Sequence, residues 1–361
     1  MLRFDVVRQR LFNERLLGPP FAKPEDVVGW FGAVQAQDYA GAKWAIGQRI
    51  EDGSDDAVER AFQSGKILRT HVLRPTWHFV RPADIRWLLE LSAPRVKALM
   101  AHYDRKLELD AKTLRQSRAI FEKALRGGQH LTREELGRIL GEGGIRAQGQ
   151  RLGHLTMHAE LDALICSGPR RGKQFTYALL AERAPARKSL SRQDALAELT
   201  ARYFKSHGPA LLQDFAWWSG LRVADAKAGV EMLGRRLASE EVNGKSYWFF
   251  PTKIAVKTSG VGVHLLPNYD EYLISYKDYG PVVDRALFNR FSPEDRMLAH
   301  HIVVANGRVI GGWRRILEKD AVTLEIKLFR ALEKTEASAL KKAAKRYGDF
   351  LGLKARLVPS P

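Results

Sequence analysis

Three times along the chain, one order of elements recurs: helix, helix, helix, then two short strands joined by a turn. In the first unit Phe4, Val7, Leu11 and Leu16 are spaced for a helix that Gly18-Pro19-Pro20 ends. Pro24 opens a second helix with Glu25 and Asp26 in its first turn, and Asp55 to Ser64 makes a third. I-L-R-T-H and T-W-H-F-V, on either side of Val72 to Pro75, then read as two strands. A helix from Pro82 to Leu91 and a charged one after Pro94 lead away.

The second unit has helices at Ser117 to Leu125, from Thr132 to Gly141, and at Gln150 to Ile165. Thr132 is an N-cap with an acidic residue three positions on. Its hairpin, S-G-P-R-R-G-K-Q-F-T-Y-A-L, carries Arg170, Arg171 and Lys173 at the turn, where such a module meets phosphate. The third unit starts at the cap Ser191 and breaks at Gly208-Pro209. It continues through Pro209 to Trp218 and Val223 to Leu237, and ends in a strand pair turning at Asn243-Gly244.

Three helices and a hairpin is the order of a winged helix, and a spacing of roughly 80 to 100 residues is too long for a solenoid. After residue 255 the pattern turns to strands: Val303 to Ile310 flank Asn306-Gly307, A-V-T-L-E-I-K-L-F follows, and a basic helix from Glu336 to Tyr347 closes the chain. The predicted fold class is therefore α+β, tandem winged helices with a C-terminal β-rich domain. Its units are 1–110, 111–182, 190–255 and 256–361, with Ala181 to Ser189 as a linker.

Composition narrows the partners. Lysine plus arginine exceed aspartate plus glutamate by 59 to 41, a formal charge of +18, which favours a polyanion. Nucleic acid fits better than a membrane, because no 18-residue apolar run occurs and no amphipathic basic tail stands out. The start M-L-R-F-D-V-V has no long apolar segment of a secretory signal, so a cytoplasmic protein is expected. Cys166 is the single cysteine, which excludes an intramolecular disulfide and a cysteine-based zinc site. His154 and His158 stand four apart on one helix face, but no third ligand is evident, so neither a metal nor a cofactor is expected.

The candidate chemistry lies at A-V-Q-A-Q-D, where the apolar second helix gives out. On an extended backbone Gln35 and Gln37 point to the same side and Asp38 to the other. Two amides aimed at one point are either a satisfied internal pair or a site. Q-A-Q at 35–37, I-L-R-T-H-V-L-R-P-T-W-H-F-V at 67–80, L-L-P-N-Y-D-E-Y-L at 265–273 and N-G-R-V-I-G-G-W-R-R at 306–315 together decide between them. Their combination resembles the bacterial winged-helix DNA glycosylases related to the azinomycin-resistance glycosylase, which unhook DNA interstrand crosslinks.

The resemblance covers nearly the whole chain and implies three tandem winged helices and a β-domain around a central DNA channel. It maps the family's catalytic motif, Gln, an apolar residue, then Gln or Asp, onto Gln35, Ala36 and Gln37. His71 and His78 would then lie near the substrate, and the last hairpin would probe a groove. Asn268 and Tyr269 would approach the DNA, with Asp270 and Glu271, whose side chains diverge, as structural support. Arg69, Arg314 and Arg315 join Arg170, Arg171 and Lys173 as DNA contacts, whereas Trp77 reads as core.

The chemistry agrees. An N7-alkylated purine already carries a positive charge and leaves as a neutral base, so no general acid is required. What remains is to stabilise an oxocarbenium-like sugar and to place water, and amide oxygens offer a dipole for the first and an acceptor for the second. The expected protein is a monomeric glycosylase acting on double-stranded DNA. A non-catalytic winged-helix regulator is the alternative, although nothing reads as a dimerisation helix. A nuclease would need a carboxylate cluster that the sequence lacks.

Overall fold

Local signals set most element ends in the first unit. Helix α1 (Val6–Asn13) is capped by the Asp5 carboxylate, and α2 (Pro24–Phe31) opens on Pro24 with two acidic residues in its first turn. Strand β1 is Val34–Gln35. The sequence pattern passes from the glutamines directly to the helix at Asp55, but the structure inserts α3 (Tyr39–Gly47). Its two glycines weaken the local helix signal. Tertiary burial overrides them, since every residue from Gly41 to Gly47 is buried. Helix α4 (Asp55–Gln63) is capped by Ser54.

Strands β2 (Leu68–Val72) and β3 (Arg74–Val80) pair antiparallel, and β1 adds to β3, giving the order β1-β3-β2. A single residue, Leu73 at φ +62°, joins β2 to β3, instead of the longer turn expected at Val72 to Pro75. Leu73 is buried and its N–H donates to Ser92 Oγ at 3.0 Å, so this hairpin tip is core. The two helices expected around Pro94 form one, α5 (Ile85–Lys106), with Pro94 inside it.

The computed structural model describes residues 4–184, 186, 189–251, 262–284, 286 and 301–359. The second unit holds α6 (Ala111–Leu125), β4 (Leu131–Thr132), α7 (Arg133–Glu142), α8 (Gly149–Leu161), β5 (Ile165–Ser167) and β6 (Thr176–Leu179). The sheet order is β4-β6-β5, around a core that includes Phe121, Leu136, Leu155 and Ile165. A short α9 (Leu180–Arg183) begins where the linker was expected, and residues 185, 187 and 188 of that linker lie outside the described set.

The third unit follows with α10 (Arg192–Ser206), α11 (Leu212–Ser219), α12 (Val223–Leu233), β7 (Ala238–Val242) and β8 (Lys245–Phe249). Asn243 at φ +51° and Gly244 at φ +70° form the tight turn that their sequence signals. The expected boundary at residue 255 also falls outside the described residues.

The C-terminal region comprises β9 (Val263–Leu266), α13 (Glu271–Ile274), β10 (Ile302–Ala305), β11 (Arg308–Leu317), β12 (Ala321–Leu328), α14 (Lys334–Leu351) and β13 (Lys354–Pro359). Its five strands run β13-β12-β11-β10-β9, with β12 and β13 parallel. The fold is mixed α/β, and its cores cross the unit boundaries. Trp44 of α3 packs on Tyr347 and Phe350 of α14, and its indole N–H donates to Leu265 O at 2.6 Å. Leu73 shares a core with Trp218 of α11. Among the described residues no helix is long and apolar enough to cross a membrane.

Candidate active site

Strand β1 ends at Gln35, so the two glutamines meet different surroundings. Gln35 is buried and lies opposite His78 on β3. Its backbone N–H donates to Glu271 Oε1 at 2.7 Å, and its side-chain Oε1 accepts from Arg74 Nη2 at 3.3 Å. Gln37 follows a bend and is exposed, with its Oε1 accepting from the Trp77 N–H at 3.4 Å. Both amides thus rest on β3, one in the interior and one at the surface. The Asp38 carboxylate caps α3 by accepting from the Gly41 N–H at 3.1 Å, which commits it to the backbone.

Glu271 is the hub beneath Gln35. Its carboxylate accepts from the Gln35 N–H, from the Trp218 indole N–H at 3.0 Å and from the Ser275 hydroxyl, and His207 Nε2 stands 3.4 Å away. Burial alone would favour the neutral acid, but the contacts from His207, Ser275 and the Gln35 amide outweigh it and hold the carboxyl at about 2. Burial lowers the His207 imidazole below its ordinary value, against the pull of the Glu271 carboxylate, and its Nδ1 lies 2.8 Å from the Ser206 hydroxyl.

Asp270 diverges from Glu271, as adjacent residues must. It takes a two-pronged bond from Arg49, at 2.9 and 2.8 Å, and Arg49 also reaches Glu14 at 3.2 Å. Burial pushes the Glu14 carboxyl well up despite Arg49. The turn from Pro267 to Asp270, with Tyr269 at φ +62°, carries Asn268 and Tyr269. It packs so closely on α3 that a Cβ at Gly41 would lie 3.2 Å from Pro267 Cβ. The Asn268–Tyr269 turn therefore sits beside the residues that follow Gln37, and the Asn268 N–H donates to His301 Nδ1 at 2.8 Å.

The remaining expected residues separate. His78 shares the Gln35 face and is fully buried; burial and then Arg74 push its imidazole down to about 3, so it is neutral. His71 pairs with Trp77 and so lies on the opposite face, bonded through Nδ1 to Glu160, which removes it from the Gln35 side. Trp77 is half-buried and lines a pocket, where the pattern made it core. At the second hairpin Arg170 is paired with Glu59 at 3.2 Å and Arg171 with Glu135 at 2.7 Å, so two of three expected phosphate contacts carry their own carboxylates. Lys173 is exposed. Arg314 is bonded to Glu325, whereas Arg315 donates to the Tyr347 hydroxyl at 2.7 Å.

The Asn306-Gly307 turn expected to probe a groove is held inward, with Gly307 buried and its carbonyl accepting from the Tyr272 hydroxyl at 2.7 Å. The opposite end of β11 bears the exposed Ile316 and Leu317. His154 and His158 both grip Asp104, each at 2.9 Å. Among the described residues no cluster of His, Cys, Asp or Glu is arranged to hold a metal ion. Arg74, His207 and Trp218 escaped the sequence reading. Arg74 stood in the quoted 67–80 motif, but the other two lie 53 or more positions from Glu271 and carry no local signal.

A family model for AlkZ-like DNA glycosylases matches residues 28–350. The chain belongs to that family. As an AlkZ-like enzyme it is a DNA glycosylase, a hydrolase of N-glycosyl bonds that takes DNA as substrate. It is 25% identical over 338 residues, 87% of each chain, to the interstrand DNA cross-link repair glycosylase of Streptomyces sahachiroi. The structure of the S. sahachiroi DNA glycosylase AlkZ superposes with a TM-score of 0.78 over 98% of both chains at 23% identity, and so shares the fold.

Proposed function

We propose that this AlkZ-like enzyme excises cationic N7-alkylated purines from double-stranded DNA, crosslinked ones included, acting as a monomer whose helix-and-hairpin units are tandem winged helices around the duplex. The observation that carries the reading is that, among the described residues, the carboxylates beside the two amides are already committed. Asp38 is spent on a helix cap, Asp270 on Arg49, and Glu271 on the Gln35 backbone and its neighbours. Neutral dipoles suffice only when the leaving base is already charged.

Gln35, fixed from both sides, keeps one lone pair for Arg74 and turns its remaining dipole toward the sugar cation. Gln37, held by one long bond at the surface, accepts a hydrogen bond from the attacking water. The Asn268–Tyr269 turn lines the space around them, and the buried His78 supports Gln35 from within. The name of the S. sahachiroi relative supports crosslinks as substrates, and family membership disfavours the non-catalytic regulator.

Single-turnover incubation with duplexes carrying N7-methylguanine or a nitrogen-mustard crosslink, followed by alkaline cleavage at abasic sites, tests the proposal. Replacing both Gln35 and Gln37 with Ala should slow base release by about 10² or more, the scale of losing an electrostatic stabiliser, with duplex affinity unchanged. Undiminished release in the double variant would remove the glutamines from the mechanism.

A further inference from the structure

Two guanidiniums converge on one indole. The Arg69 guanidinium lies 4.2 Å and that of Arg133 5.5 Å from the Trp77 ring centroid, and Arg69 is also 4.6 Å from Phe175. Like charges held this close repel each other unless an anion stands between them. Among the described residues neither has an ion-pair partner: Arg69 Nε donates to Ala36 O at 3.0 Å and Arg133 Nη2 to the Tyr177 hydroxyl at 3.4 Å. Arg69 is 8% exposed, so water compensates its charge poorly, and burial pushes its guanidinium down to about 10.

These groups line a pocket of about 380 Å³ together with Lys173, Tyr177 and the first residues of α7. At that helix start the Glu135 N–H is already taken by the Thr132 side chain, so the pocket's pull on an anion comes from its side-chain cations. Among the described residues of the lining Glu134 is acidic, against three cations. At the same hairpin Arg170 and Arg171 are already paired with glutamates, whereas Arg69 and Arg133 form no ion pair among the described residues and Arg69 is offset only in part by the buried Glu160 carboxylate.

Its walls also hold the glutamine motif. Arg69 bonds the carbonyl of Ala36, between the glutamines, and the Trp77 N–H bonds Gln37.

We propose that this pocket seats one backbone phosphate of the DNA, gripped by Arg69, Arg133 and Lys173, and that the seated phosphate sets the register of Gln35 and Gln37 on their target. The proposal rests on the DNA-substrate reading but not on which lesion is cut.

The test uses the full chain and a duplex containing N7-methylguanine in which the phosphates around the lesion are replaced, one at a time, by uncharged methylphosphonates. At one position the replacement should weaken wild-type binding about tenfold, the scale of a charge-assisted contact, and reduce the slope of log affinity against log salt by about 1. In Arg133→Ala the affinity is already lower, and the same methylphosphonate should have no further effect. Lys173→Ala, at an exposed turn, should show the same loss of coupling and covers the case in which Arg133→Ala does not fold.

Methylphosphonate effects identical in wild type and both variants would overturn the seat. So would a pocket that takes a free anion: inorganic phosphate raising the melting temperature of wild type but not of Arg133→Ala, with no coupled position on the DNA. Because the readout is binding, failure to release any base would count against the glycosylase reading alone, and release without a coupled phosphate against the seat alone.

Discussion

Gln35 and Gln37 are two residues apart and inhabit opposite environments. Gln35 is locked by a buried carboxylate on its backbone and a guanidinium on its side chain; Gln37 is exposed and makes one bond of 3.4 Å. A dipole that stabilises a cation must be pre-oriented, because turning it during the reaction would cost what it returns. A group that places water must instead adapt to a substrate that arrives with its own geometry. Under the proposed mechanism the motif would combine both by ending a strand between its two amides.

The largest effect should come from the lock. Glu271→Ala leaves the Gln35 amide, the Trp218 indole and the Ser275 hydroxyl without their acceptor in the core, and should cost about 3 kcal/mol or more of unfolding free energy in urea, at roughly 1–3 kcal/mol for each buried donor left unsatisfied. A variant as stable as its parent would dissolve the distinction between the glutamines. The same carboxylate sets a pH dependence. Its folded value, about 2, lies below the ordinary one of about 4.3, so its contribution is complete above the ordinary value and is lost as pH falls toward 2. Glu271→Gln should flatten that acid limb.

Single substitutions sharpen the contrast. Gln37→Ala should slow base release by about 10² and leave the unfolding midpoint in place. Gln35→Ala should slow release and also remove about 1 kcal/mol, because Arg74 loses an acceptor. Equal shifts in midpoint would show that the two positions are not held differently.

The smallest effect concerns Asp38. Asp38→Ala should cost about 1 kcal/mol through the lost cap, with base release falling less than about tenfold. Asp38→Asn, which can still cap, should restore both; an inactive Asn variant would make Asp38 a base.

Signals that act within a few residues were legible in the sequence. Thr132 and Glu135 form the reciprocal cap that their spacing announces, and both Asn-Gly pairs turn hairpins. Asp270 and Glu271 diverge, as adjacency requires. What failed to show depends on distant partners. Helix α3 exists because β9 and α14 close over it together with α2 and α4; Leu73 turns alone because α5 and α11 cover it; Arg170 and Arg171 are neutralised by glutamates on α4 and α7. The hairpin tips illustrate the limit: the same strand-turn-strand pattern ends in core at Leu73 and in solvent at Gly172, and only the neighbours decide.

The contact between α3 and α14 bears on how the chain is made. Phe350 fills the space over Gly47 so closely that a Cβ there would lie 2.2 Å from its ring, and Arg346 donates to Gln48 O at 2.5 Å. On a ribosome adding about 5–20 residues per second, the stretch between them takes roughly 15–60 s to synthesise. Until then the helix next to the glutamines lacks the Tyr347 and Phe350 rings that pack on Trp44. The nascent first unit therefore waits, unfinished, for the last part of the chain, and a transcript cut short before α14 would leave the first unit incomplete as well as the last.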